Sequence, residues 1–138
     1  MAGNMKDQNM ALEAAEAALR DGEAYIESIT TTGGFDGNYG FYGLDDEENT
    51  TWSSGDSQQY GSWTGSPYSS SLNYVSSQPR FILKLAGTLK SAQGGKNIGG
   101  YGTGLSAKDS TMFEVTARGV GKSPNSVVRL RTVYGRQL

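Results

Sequence analysis

Between Gln8 and Ile29 the chain reads QNMALEAAEAALRDGEAYIESI, and Leu12, Ala15, Leu19, Gly22, Ile26 and Ile29 recur at steps of three and four. A helix turns once every 3.6 residues, so these positions return to one face and form an apolar stripe. Glu13, Glu16, Arg20, Glu23 and Glu27 repeat the spacing along a charged flank, and good helix formers fill the gaps. A helix striped on one side must bury that stripe against another layer. The rest of the chain therefore has to supply a flat apolar face. The helix is predicted to run to about Thr30, where Thr30-Thr31-Thr32 and Gly33-Gly34 stop it. At the other end Asn4 offers an N-cap with Asp7 at N3, although the apolar Met5 hints that the pattern continues outward.

The C-terminal half supplies the face. In PRFILKLAG, Phe81, Leu83 and Leu85 alternate with Ile82, Lys84 and Ala86; in MFEVTARG, Phe113, Val115 and Ala117 alternate with Glu114, Thr116 and Arg118. In SVVRLRTVYG, Val128, Leu130, Thr132 and Tyr134 alternate with Arg129, Arg131 and Val133. Such period-two alternation marks half-buried antiparallel strands. VGKSPNS reads as the turn of a hairpin joining the last two strands. GGKNIGGYGTGLSAKD is too glycine-rich for a strand interior and joins the first two. The fold class is α+β: one domain over 1–138, with a helix in 1–32, a Gly/Ser/aromatic loop region in 33–79 and a small antiparallel sheet in 80–138. The helix stripe is predicted to pack on that sheet through Leu12, Leu19 and Ile26.

The loop region is rich in Gly and Ser, yet nine aromatic residues lie between Gly34 and Tyr74. A disordered linker is poor in rings, so this segment is expected to be a long loop pinned by them, with a short strand or turn inside. Trp52, Trp63, Tyr60, Tyr68, Phe35, Phe41, Tyr39 and Tyr42 have two readings. They staple the loop to the sheet edge, or one or two, with Trp52 and Trp63 foremost, form a contact surface.

Composition excludes whole classes of chemistry. The chain has no histidine and no cysteine, which removes Ser-His-Asp and Cys-His catalysis, zinc clusters and disulfides. A net charge of −2 argues against a nucleic-acid binder. The charge is uneven: up to Pro79 two basic residues face twelve acids, net −10, and from Arg80 onward ten face two, net +8. These halves either pair within the fold and face water, or orient the molecule between neighbours. GVGKS at Gly119–Ser123 lacks the first glycine and the following helix of a phosphate-binding loop, and reads as a hairpin turn. Asp45-Asp46-Glu47-Glu48 could hold calcium, but a solvated acidic loop explains the run as well. Nothing fixes two carboxylates at a distance fit for hydrolysing a glycosidic bond. No catalytic residue, cofactor site or metal site is predicted.

One further surface follows from the helix. Ala14, Ala18 and Tyr25 are expected on a shoulder beside the stripe, away from the charged flank. Small residues there would let a neighbouring helix approach closely; alternatively the alanines are only good helix formers.

A helix-first, sheet-last domain of this kind resembles a type IV pilin without its membrane part. AGNMKDQNMALEAAEAALRDGEAYI, around the block AAEAALR at Ala14–Arg20, is similar to the helix of the PilX minor pilins of gammaproteobacterial type IV pili. FEVTARGVGKSPNSVVRLRTVYG, Phe113–Gly135, resembles that family's closing hairpin, and QPRFILKL, Gln78–Leu85, its first sheet strand. Gly33–Ser77 carries no such likeness. The resemblance implies a membrane-anchored precursor with a cleaved leader and an apolar segment upstream of Ala2. It implies a structural, non-enzymatic minor pilin in a heteromeric tip complex that primes pilus assembly and so serves adhesion and twitching motility. Its partners would be other minor pilins, a PilY-family tip adhesin and the major pilin. Its place would be the inner membrane facing the periplasm, then the pilus tip of a Gram-negative bacterium. Contact with the membrane would come only through the missing N-terminal helix. Many pilins tie their C-terminal region with a disulfide, which this chain cannot do. The alternatives are a minor pseudopilin of type II secretion and a surface sugar-binding module.

Overall fold

The computed structural model describes residues 2–46, 52–53, 55–63, 65–68, 72, 75–89 and 109–137. Among these residues one helix, α1 (Ala2–Ser28), is followed by five strands: β1 (Phe41–Tyr42), β2 (Gln58–Gln59), β3 (Arg80–Leu89), β4 (Ser110–Val120) and β5 (Val127–Arg136). The sheet runs in the order β1-β3-β4-β5, with β2 also on β3. The three long strands are antiparallel, each within two residues of its expected bounds. β1 runs parallel to β3, pairing Phe41 with Leu83, so the sheet is mixed where an antiparallel one was expected. β2 is antiparallel to β3, pairing Gln58 with Phe81. Both short strands cover the β3 edge that β4 leaves free, which satisfies its backbone groups.

Phe81, Leu83, Phe113, Val115 and Ala117 form the sheet's buried inner face against α1. The expected stripe is buried at Ala15, Gly22 and Ile26, with Leu19 and Ile29 packed beside the core, but the face is centred further toward the alanines. Ala11, Ala14, Ala15, Ala18 and Ile26 have no exposed surface, Leu19 is half-buried and Leu12 is exposed. The helix is thus turned toward its alanines, because it lies almost on the sheet backbone at its N-terminal half. A Cβ added at Gly119 of β4 would sit under 3.0 Å from the backbone of Ala11 and Ala15. Leucines do not fit in that gap; alanines do.

Both ends of the helix are tied to β5 or the hairpin before it. Asn4 lies inside α1, two residues past its first residue, where an N-cap was expected. Asp7 is engaged by the hairpin instead: its carboxylate accepts the N–H of Lys122 (2.6 Å), the N–H of Ser123 (3.2 Å) and the hydroxyl of Ser126. GVGKS is therefore the hairpin turn expected, closed by Gly121 N–H to Ser126 O (2.8 Å) and pinned by a helix side chain. α1 ends at Ser28, two residues early. Gly33 and Gly34 do not adopt the left-handed conformation. The last carbonyls are met instead by Arg136, whose guanidinium donates to Ile26 O and Ile29 O, and by the Ser28 hydroxyl on Tyr25 O (2.7 Å). A cation there also complements the helix dipole. Arg136 and the hairpin bonds thus tie the C-terminal strands to the helix without a disulfide.

The Asp7 anchor sets an expected acid sensitivity. The Ser126 hydroxyl bond lowers its carboxyl below the ordinary carboxylate value; burial opposes this, and the Ser123 and Lys122 N–H groups and the Lys122 charge add to it. A depressed folded value contributes stability that is fully present above the unfolded value and is lost as pH falls through the folded one. Asp7→Asn should therefore lower the melting temperature most at about pH 6, and the gap to the parent should close only as pH falls through the lowered folded value, below the ordinary carboxylate range. A gap that stayed constant over that range would mean that the carboxylate charge does not hold the hairpin.

Candidate functional site

The five residues singled out as a contact surface do not form one. Ala14 and Ala18 have no exposed surface, because the helix shoulder expected beside the stripe is the stripe itself. That part of the reading is corrected: these alanines admit the sheet, where a neighbouring helix was expected. Tyr25 is half-buried on the same side, stacked on Phe41 (centroids 4.6 Å) with Trp63 edge-on to it (5.2 Å). Phe41 continues through Phe35 (5.7 Å) to Phe113 of the sheet (5.5 Å). Trp52 is also buried, but on the opposite face of the sheet with Tyr42 and Ile82. The loop's rings thus clasp the sheet from both faces rather than only stapling its edge.

The residue that organises this loop escaped the pattern reading. Asp21 lies on the buried face of α1 with no exposed surface. Its Oδ2 accepts the N–H of Gly61 (2.7 Å), and its Oδ1 accepts Trp63 Nε1–H (2.9 Å) and the Ser66 hydroxyl (2.7 Å). A buried carboxylate is costly unless donors surround it; here three residues of one loop segment, Gly61, Trp63 and Ser66, supply them. Had the stripe been drawn through Ala11, Ala14, Ala18 and Gly22, an acid at position 21 would have stood out within it.

The acidic run is split by the structure. Asp45 is exposed, while Asp46 Oδ2 accepts the N–H of Gly43 (2.8 Å) and closes its own turn. Glu47 and Glu48 lie outside the described residues, as does most of the glycine-rich connection after β3. Among the described residues no group of three or more acids is placed to hold a metal ion. The ion pair Arg131–Glu114 (3.0 Å) joins two residues of the basic half.

What α1 leaves open is its outer face. Met5 is 72% exposed and Leu12 37% exposed, seven residues apart and so on one side. Arg20 and Glu13 flank them in water. Met5 and Leu12 are the large apolar side chains that α1 leaves exposed; Tyr39, Leu44, Leu89 and Val133 are exposed elsewhere. No helix among the described residues is long and apolar enough to cross a membrane.

No curated protein and no solved structure matches the chain. A family model does: that of the C-terminal region of the type IV pilus assembly protein PilX, over residues 38–136. The match begins just before β1, takes in the loop region that showed no likeness on reading, and ends with β5. It spans more than half of the 138 residues and covers every strand of the sheet. A loop tied to the helix by Asp21 and a hairpin tied by Asp7 are thus this chain's way of building a family domain, and the chain belongs to the PilX family of type IV pilus assembly proteins, a minor pilin.

Proposed function

We propose that the protein is a structural, non-enzymatic minor pilin that joins other minor pilins in a complex priming pilus assembly and residing at the pilus tip. A PilY-family adhesin and the major pilin are its further partners. It waits in the inner membrane facing the periplasm and moves to the tip as the pilus forms, in a Gram-negative bacterium. The observation that supports this is the family match across the whole sheet and loop region. A type II secretion pseudopilin would share the plan of one long helix on a small sheet, and the family match favours the pilus.

Within that reading the outer helix face, centred on Met5 and Leu12, meets the helices of neighbouring subunits. Both side chains are exposed, so Met5→Arg and Leu12→Arg should leave the isolated domain folded, with circular dichroism and melting close to the parent's. Expressed in a piliated host lacking the native copy, the same variants should reduce surface pili and the recovery of other minor pilins with the tagged protein. Normal piliation with both arginines would remove this face from the assembly. Recovery of secretion-system components in place of pilus components would overturn the pilus assignment itself.

A further inference from the structure

The face of the sheet turned away from α1 carries an arrangement that the pilus role does not call for. Arg80 of β3 is the direct cross-strand partner of Arg118 of β4, and Arg118 is the partner of Arg129 of β5. Directly opposed residues share a face with their Cβ atoms about 5 Å apart, and like charges so placed are destabilising. Burial, and then the neighbouring Arg118, push the Arg80 guanidinium below its ordinary value; burial and Arg129 do the same to Arg118. Arg80 is partly satisfied, since its guanidinium donates to Ser57 Oγ and Ser57 O. Glu114 on the same face is engaged by Arg131. Among the described residues no carboxylate pairs with Arg118 or Arg129.

Beside this row lies a notch lined by Trp52, Thr116, Arg129 and Arg131. The Arg129 guanidinium sits 6.0 Å from the centroid of the Trp52 ring. Trp52 is 6% exposed, holds a left-handed φ of 60° rare for a tryptophan, and keeps its indole N–H buried with no acceptor. A buried donor without a partner forfeits the hydrogen bond it made to water in the unfolded chain. Repelling cations, a strained backbone and an orphan donor thus converge on one small area. Each breaks a local rule of folding, and such breaks concentrate where a site is being built.

We propose that this notch binds an oxyanion, the carboxylate, phosphate or sulfate group of a ligand, with Arg129 as its principal donor, Trp52 and Thr116 as its wall, and Arg118, the cross-strand partner of Arg129, adding positive charge beside it. The planar guanidinium fork matches both carboxylate and phosphate oxygens through paired charge-assisted bonds. An anion there would relieve the repulsion along the row. The site lies across the sheet from α1, so it does not depend on the helix contacts proposed for assembly.

The two tryptophans make the test direct, because each gives one indole N–H signal in a nitrogen-15 correlation spectrum. The Trp63 signal, held by Asp21, is the internal reference. Titrating the chain with citrate or with sulfate at constant ionic strength should move the Trp52 signal saturably and leave that of Trp63 in place, whereas chloride should do neither. A response to citrate identifies a carboxylate as the preferred group, and a response to sulfate a tetrahedral oxyanion. Arg129→Gln should weaken the responding anion about tenfold, the scale of one charge-assisted hydrogen bond, and Arg118→Gln, which removes only a neighbouring charge, should weaken it less. Arg129 is exposed, so its variant keeps the fold even if Arg118→Gln perturbs it. No saturable shift with either anion, an equal shift with chloride, or unchanged affinity in Arg129→Gln would overturn the proposal.

Discussion

Gly119→Ala is expected to destabilise the domain by about 3 kcal/mol or more, at or beyond the upper end for overpacking a core. The added methyl would lie under 3.0 Å from Ala11 O, Ala15 N and Ala15 Cα, which are helix backbone atoms and cannot rotate aside. To admit it, the helix must lift from β4, and the contacts of Ala14, Ala18 and Ile26 loosen with it. Gly22→Ala meets the sheet too, but its obstacles are the side chains of Val115, Leu83 and Phe81, which have some freedom to shift. Its cost should be smaller, about 1–2 kcal/mol. Gly3→Ala, with nothing within 4 Å, is the control and should be neutral or mildly stabilising, as alanine is the better helix former. Urea unfolding of the three variants ranks them. A Gly119→Ala midpoint no lower than that of Gly3→Ala would mean that the helix does not lie this close to the sheet.

That close approach also explains which parts of the fold could be read from residues alone. The three long strands were legible because Phe81-Leu83-Leu85, Phe113-Val115-Ala117 and Val128-Leu130-Tyr134 each alternate, and alternation is a property of the strand itself. The existence of α1 was legible for the same reason. Its rotation was legible at Ala15, Gly22 and Ile26 but not toward the N-terminus, because hydrophobicity ranks Leu12 above Ala11 and Ala14, whereas the sheet selects on size. The glycine in β4 that makes alanine the right residue is more than a hundred positions away in sequence. The short strands β1 and β2 were illegible in type as well. Two residues carry no period, and Phe41–Tyr42 is parallel to β3 only because the loop returns to that edge. The rings were rightly suspected of ordering the loop, yet nothing local says that Trp52 and Trp63 fall on opposite faces of the sheet. The outer arginines were legible singly, as polar positions of alternating strands. Their alignment into a row depends on the β3–β4 and β4–β5 registers, which alternation leaves undetermined by steps of two.

Asp21→Ala should remove the loop from the helix rather than merely weaken one contact. The carboxylate is buried and takes three donors, one from backbone, one from an indole and one from a hydroxyl. Hydrogen bonds to a charged group are worth about 1.5–3 kcal/mol each, and they do not add when they share an acceptor. Truncation leaves Gly61 N–H, Trp63 Nε1–H and Ser66 Oγ–H facing an apolar gap, so a total loss of about 3–5 kcal/mol is expected. Asp21→Asn is no rescue: its amide keeps one oxygen but turns an NH2 toward groups that are themselves donors. Ser66→Ala removes a single donor while two remain, and should cost about 1.5 kcal/mol. The consequences should be regional as well as global. With the Asp21 bonds gone, the segment around Gly61–Ser66 loses its side-chain tie to α1, and Trp63 keeps its edge-on contact with Tyr25 but not its hydrogen bond to the helix. Limited proteolysis of Asp21→Ala should therefore cut first within residues 57–68, while the β4–β5 hairpin, pinned separately by Asp7, stays protected. If Asp21→Ala melts within about 0.5 kcal/mol of a surface change such as Glu13→Ala, and the loop resists protease as before, the rings alone hold it and the buried acid is dispensable.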